Sequence, residues 1–176
     1  MKTLVYVGTS LDGFIARENG DFDWLSQFAD DEAIQSYNQF MDRIDAIVMG
    51  RGTYEKVLSF PTFPYSKKVF VLSNSIKKAP EKLTKQVTIL SMKPADTIIY
   101  LSGKGFSNIY IDGGKVIQDF LKEDLINELV ISKAPILLGH GIPLFGYLGA
   151  DLQFNHIRTI VQSNGLVRSY YERGQM

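Results

Sequence analysis

No cysteine occurs among the 176 residues, which excludes disulfides, thiolate zinc sites and thiol catalysis and is in keeping with a cytoplasmic location. Charge of one sign is also missing. Lys and Arg number 19, Asp and Glu 19, so the chain has no overall positive excess with which to displace the counterions of a nucleic acid. No apolar run approaches the ~20 residues that cross a bilayer. Met1 to Gly8 is too short and too β-branched to read as a secretory leader. Only two histidines are present, His140 and His156, far apart and without acidic neighbours at ligand spacing, and no metal is expected. Low-complexity segments, linker compositions and internal repeats are lacking too. A hydrophobic share of 45% with 22% charged residues is ordinary for a globular chain. At this length folding buries roughly 70% of the unfolded surface, enough for a core without covalent staples, and residues 1–176 read as a single domain.

What is present is an alternation of strands and helices. Leu4–Val7, Asp45–Gly50, Val69–Leu72, Val87–Leu90, Asn108–Ile111 and Glu128–Ser132 are short apolar runs of strand length. Between the first two, a loop runs from Ser10 through Ala16 and Asn19-Gly20 to Trp24. A helix then follows over about Asp30 to Arg43, where Ala33, Ile34, Tyr37, Phe40, Met41 and Ile44 recur at three- and four-residue spacing. Arg51 begins another helix, Pro94 opens and Gly103 closes a third, and Val116, Ile117, Phe120 and Leu121 form one face of a fourth. Near the end, extended runs flank Ser163-Asn164-Gly165, a hairpin whose Asn-Gly is expected to supply the positive φ angles of a tight turn. The pattern predicts an α/β fold with a central, mostly parallel sheet, helices on both faces and a C-terminal antiparallel hairpin.

Three strand ends carry groups suited to an anionic ligand, and ligands of open α/β sheets gather at carboxyl ends. At Gly113-Gly114 the absent side chains would let a phosphate approach the backbone at a helix start; the same pair would serve as a tight turn with no ligand. Gly50-Arg51-Gly52-Thr53 adds a guanidinium fork and a hydroxyl, although Arg51 could equally be a solvated surface charge. Ser73-Asn74 offers short donors, or simply a polar turn. Asp12, in Leu11-Asp12-Gly13, is either a functional carboxylate or the anchor of an Asx-type turn. Trp24 reads by itself as a core aromatic. Asp31 and Glu32 suit the first turn of a helix.

In order and spacing, Ser10-Leu11-Asp12-Gly13-Phe14-Ile15-Ala16, Met49-Gly50-Arg51-Gly52-Thr53-Tyr54-Glu55, Val71-Leu72-Ser73-Asn74, Ile109-Tyr110-Ile111-Asp112-Gly113-Gly114 and Pro135 to Phe145 resemble the dihydrofolate reductase superfamily. The Leu-Asp-Gly loop and the Ile142-Pro143-Leu144-Phe145 segment are closer to its riboflavin-biosynthesis branch, the reductase domain of a bifunctional deaminase-reductase. The resemblance covers nearly the whole chain. It implies a dihydrofolate reductase-like fold with NADPH lying across the strand ends. Ile15 and Ala16 would flank the nicotinamide. Gly50, Arg51 and Thr53 would hold the diphosphate and the ribose phosphate. Leu72, Ser73 and Asn74 would take the adenosine and its 2′-phosphate, and Gly113, Gly114, Lys115, Val116 and Ile117 would cradle the diphosphate.

The resemblance further places Asp112 and Trp24 at the substrate, with Asp12 nearby and Asp112 or Glu32 as the catalytic carboxylate. Two departures stand out. Dihydrofolate reductases use an acid on the first long helix, and counting back from Met49-Gly50 puts Ile34 there, with Asp31 and Glu32 only close by. The zinc deaminase domain of the bifunctional enzymes has no counterpart in this cysteine-free chain. The reading is therefore a stand-alone NADPH-dependent reductase of a pyrimidine- or pterin-like small molecule, similar to 5-amino-6-(5-phosphoribosylamino)uracil reductase, active as a homodimer and without nucleic-acid or membrane partners. Its alternatives are a dihydrofolate reductase and a non-catalytic NADP(H)-binding module.

Overall fold

The computed structural model describes residues 1–174. In chain order the elements are β1 (Lys2–Thr9), β2 (Phe14–Ala16), α1 (Asp23–Ser26), α2 (Asp31–Asp42), β3 (Ala46–Gly50), α3 (Arg51–Leu58) and β4 (Lys68–Leu72). There follow a 3₁₀ turn (Glu81–Leu83), β5 (Val87–Leu90), α4 (Pro94–Gly103), β6 (Asn108–Asp112), α5 (Gly114–Lys122), β7 (Glu128–Lys133), β8 (Ile142–Pro143), β9 (Phe154–Val161) and β10 (Val167–Arg173). The main sheet has eight strands in the order β5-β4-β3-β6-β1-β7-β10-β9. Its first six are mutually parallel, and β10 runs antiparallel to both β7 and β9. This is the α/β architecture expected, with helices on both faces and antiparallel strands on the C-terminal side.

The apolar runs are continuous because the parallel strands are buried on both faces. Along β3, Ala46 and Val48 pack with Val116, Ile117 and Phe120 of α5. Ile47 and Met49 point the other way, into a second cluster with Phe40 of α2 and Tyr54 of α3. Burying one such side chain contributes ~1.5–3 kcal/mol, against ~0–1 kcal/mol for an exposed ion pair. The two clusters therefore position the helices, and the surface charges do not. Helix starts follow local chemistry: Asp30 accepts a hydrogen bond from the Ala33 amide at 2.9 Å as the N-cap of α2, and Pro94 occupies the first turn of α4.

Three segments differ from the sequence-based expectation. Residues 10–24 are not a plain loop. Phe14–Ala16 pairs with Ile142–Pro143 in a small second sheet, and Trp24 lies on the short helix α1. These pieces are too short to show a period, and their partner lies far along the chain. At the hairpin only Gly165 has positive φ, +89°. Its amide donates to Gln162 O at 3.0 Å, so the turn is one residue longer than a two-residue Asn-Gly turn. Asn164 instead donates to Phe28 O at 2.9 Å and to Asp30 Oδ2 at 2.7 Å, fastening the hairpin to the start of α2.

Glu128 ties three elements together at the amino ends of the strands. It accepts from Lys2 Nζ at 3.0 Å and from Arg43 Nη2 at 2.8 Å. Burial pushes its carboxyl upward, but the two cations outweigh it and hold the pKa below the ordinary 4.5. A lowered folded-state pKa gives stability that is complete above the unfolded value and lost as pH falls through the folded one. Because Lys2 and Arg43 are about half exposed, Glu128→Gln is expected to cost only about 1–2 kcal/mol. Urea unfolding at pH 7 and below pH 4 checks this, with the difference between variant and parent shrinking at the lower pH.

Candidate active site at the strand ends

The carboxyl ends of β1, β3, β4 and β6 open into one cleft of about 1210 Å³. Two helices begin there directly from adjacent strands: β3 runs into α3 and β6 into α5, and β3 pairs with β6. Their N-cap residues are Gly50 and Gly113, and neither helix has a side-chain cap. The first amides of both helices therefore remain as donors at the positive end of a helix dipole. Gly113 has φ +91°, and a Cβ there would collide with Thr53 Oγ1. The two helix starts thus approach so closely that only glycine fits between them.

Arg51 stands at the mouth, its Nη1 3.5 Å from Ser75 Oγ and its Nε 3.8 Å from Glu55. Leu72, Ser73 and Asn74 form the adjoining wall. The Ser73 hydroxyl also accepts from the amides of Ser75 at 3.2 Å and Ile76 at 3.0 Å, so it shapes the turn as well as facing the cleft. Across from α5, Ile15, Ala16 and Ile142 of the small sheet close the side. This donor set fits a dinucleotide phosphate: two uncapped helix starts, a guanidinium and short polar side chains on one concave surface.

The other half of the cleft is built around Asp112, the last residue of β6. Tyr65 donates to its Oδ2 at 3.1 Å. Tyr110 donates to Tyr6 O at 2.9 Å, and the Tyr6 and Tyr37 rings meet edge to face at 5.6 Å. Burial drives the Asp112 carboxyl above its ordinary value, against the hydrogen bond from Tyr65 that pulls it down. The Tyr37 and Tyr65 hydroxyls are raised by burial first and then by the charge on Asp112. Leu25, Phe22 and Phe60 also line the cleft, as does Lys56, which is bonded to Asp21. A buried Arg168 supports this floor from below. It donates to Ser132 Oγ at 2.8 Å and stacks over the Tyr6 ring at 5.3 Å.

Comparison with known proteins follows the same lines. Residues 64–166 match the RibD C-terminal domain family. The chain belongs to that family. It is 40% identical to the uncharacterized Bacillus subtilis (strain 168) protein YwjB, over 98% of either chain. A candidate riboflavin biosynthesis protein from Shewanella sp. PV-4 superposes with a TM-score of 0.93, at 45% identity, covering 99% of this chain and 100% of that one. At the level of fold alone, the Thermotoga maritima diaminohydroxyphosphoribosylaminopyrimidine deaminase/5-amino-6-(5-phosphoribosylamino)uracil reductase matches with a TM-score of 0.77 and 15% identity; this chain covers 56% of it, and the match takes in 98% of this chain. Enterococcus faecalis dihydrofolate reductase, solved with NADP(H), matches at 0.68 and 16%, over 99% of this chain and 97% of that one. The architecture is that of the riboflavin-pathway reductases.

Most of the residues singled out from the sequence of this RibD C-terminal domain protein line the cleft: Ile15, Ala16, Gly50, Arg51, Thr53, Leu72, Ser73, Asn74, Asp112, Gly113, Gly114, Lys115 and Val116. Four lie elsewhere. Trp24 is buried with Phe28, Ala134 and Leu166, and its neighbour Leu25 takes the wall position, pressed against Gly8. Asp12 accepts from the amides of Leu138 at 3.2 Å and Gly139 at 2.7 Å. Its pKa falls to about 2, chiefly through the Ser10 hydroxyl, so it acts as the loop anchor. Glu32 is exposed on the first turn of α2, and Ile117 is core.

Sequence reasoning missed Tyr6, Tyr37, Tyr65 and Lys56. Tyr37 looked like one more apolar helix position, and Tyr65 follows two prolines in a segment without periodicity. The one available signal was nine tyrosines, too diffuse to assign. Gly113→Ala tests the contact that joins the two helix starts. Strain at positive φ plus displacement of Thr53 is expected to cost about 1–3 kcal/mol, read by denaturant unfolding; an unchanged midpoint would mean the two starts are not in contact.

Proposed function

We propose that this chain is an NADPH-dependent reductase acting on a pyrimidine- or pterin-like small molecule. The observation that carries it is the pair of uncapped helix starts with Arg51, facing the same cleft as Asp112. Gly50, Arg51, Thr53, Gly113, Gly114 and Lys115 would hold the diphosphate, while Leu72, Ser73 and Asn74 would receive the adenosine and 2′-phosphate. Ile15 and Ala16 would flank the nicotinamide. When bound, the cofactor would supply the hydride for reduction of an imine or carbonyl carbon, the matching proton coming from solvent. The protein's contribution is alignment of the two rings, with Asp112 orienting the acceptor. Reduction of 5-amino-6-(5-phosphoribosylamino)uracil, the activity for which the Thermotoga maritima protein of the same fold is named, is chemistry of this kind.

A dihydrofolate reductase reading is less well supported, because α2 presents Tyr37 to the cleft while Glu32 sits outside it. The proposal includes a cytoplasmic location and a homodimer. Strand β9 supports the dimer: it is a sheet edge with Ile157 and Val161 exposed, and open edges invite pairing.

Titration with NADPH and with NADH, following energy transfer from the single tryptophan, Trp24, tests the cofactor. Saturable transfer with preference for NADPH is expected. Arg51→Ala should weaken NADPH tenfold to a hundredfold, the value of a charge-assisted contact of about 1.5–3 kcal/mol. Absence of transfer together with no NADPH effect on melting temperature would overturn the reading. Steady NADPH consumption with an acceptor separates an enzyme from a binding module.

A further inference from the structure

Tyr6, Tyr37, Tyr65 and Tyr110 line the cleft together with Asp112, and three of their four hydroxyls are committed. Tyr65 donates to Asp112 Oδ2 at 3.1 Å, Tyr110 to Tyr6 O at 2.9 Å and Tyr6 to Ser36 Oγ at 3.3 Å. The Tyr37 hydroxyl has no hydrogen-bond partner among the described residues. Tyr37 nevertheless belongs to the cluster. Its ring meets that of Tyr6 edge to face at 5.6 Å, and its hydroxyl feels the charge on Asp112. The residue is half-buried, so its hydroxyl is left to water in the open cleft or to a bound molecule.

The fold holds this side chain in place. Helix α2 sends no other residue into the cleft. Next to Tyr37 in the chain, Ser36 receives the Tyr6 hydroxyl. One turn further, the buried Phe40 ring lies 4.9 Å from that of Tyr6 and 5.1 Å from that of Tyr110. The helix is thus pinned to β1 and β6 on both sides of Tyr37. One turn earlier stands Ile34, which is exposed and has no proton to give, and Glu32 lies outside the cleft. A site that reduces a double bond needs a proton donor as well as a hydride, and on α2 only Tyr37 offers one.

Resting on the reductase reading above, we infer that Tyr37 is the catalytic proton donor, bonding the acceptor's carbonyl oxygen or imine nitrogen and protonating it. As the hydride adds to the carbon, the π pair of the double bond moves onto the oxygen or nitrogen. The phenolic O–H bond breaks while the new O–H or N–H bond forms. The carbon is reduced, NADPH is oxidised to NADP⁺, and Tyr37 recovers a proton from solvent through the open cleft. Burial first, and the charge on Asp112 second, hold the phenol above its ordinary value. It therefore stays protonated in the neutral range and yields its proton only to a strongly basic atom. The oxygen or nitrogen becomes one as it takes the electron pair.

The test compares Tyr37→Phe with the parent protein in single-turnover NADPH oxidation, with dihydrofolate and 5-amino-6-(5-phosphoribosylamino)uracil as the two acceptors. The variant is expected to be slower by about a hundredfold or more, the usual contribution of a positioned donor. The loss should fall on the rate and leave NADPH affinity unchanged. Because the hydroxyl bonds nothing in the fold, the melting temperature should also be unchanged. A marked fall in melting temperature would make the hydroxyl structural and overturn the inference. An undiminished rate in the variant overturns it too, as does a parent protein that reduces neither acceptor. NADPH binding tells these failures apart: if it is retained, only the donor assignment is wrong, and if it is absent, the reductase reading falls first.

Discussion

Two neighbouring parallel strands, β3 and β6, each end in a glycine-started helix without a side-chain cap. Everything in the cleft depends on that arrangement. Neighbouring strands are ~4.8 Å apart, so the two sets of free amides are delivered side by side by the sheet itself. The near-contact of Gly113 with Thr53 then fixes their relative position. Such a site needs little further construction, because the positive ends of both helices already point at one spot.

The same strand sets the opposite half of the site. Asp112 is the last residue of β6 and Gly113 the cap of α5, so the carboxylate and the amide cradle are one residue apart in the chain. The two halves of the cleft are thereby locked into a single geometry. The tyrosines complete it from three directions, Tyr6 from β1, Tyr37 from α2 and Tyr65 from the segment before β4. Tyr65 bonds Asp112 directly, and burial is what raises the carboxyl's pKa.

Much of this was legible in the sequence. The six parallel strands and the helices α2 to α5 announce themselves through apolar runs of strand length and helical spacing, because the core filters those positions. The glycine-started helices that line the cleft were legible too, as glycines at two strand ends, although the same pattern also serves a tight turn with no ligand. The tyrosine-lined half was not. Tyr65 and Lys56 enter the cleft through tertiary packing, and a tyrosine facing a ligand has the same local signature as one facing the core. Trp24 shows the converse: a lone tryptophan beside a site-forming loop belongs to the core, while Leu25, without any distinguishing pattern, forms the wall. The pairing of β2 with β8 links residues more than a hundred positions apart, beyond the reach of any local pattern.

Hydrogen exchange of individual backbone amides, with and without NADPH, tests the central claim most directly. The account predicts added protection at Arg51, Gly52 and Thr53 together with Gly114, Lys115 and Val116, the first amides of α3 and α5. Protection confined to one helix start, or appearing away from both, would contradict a cofactor held by the paired starts.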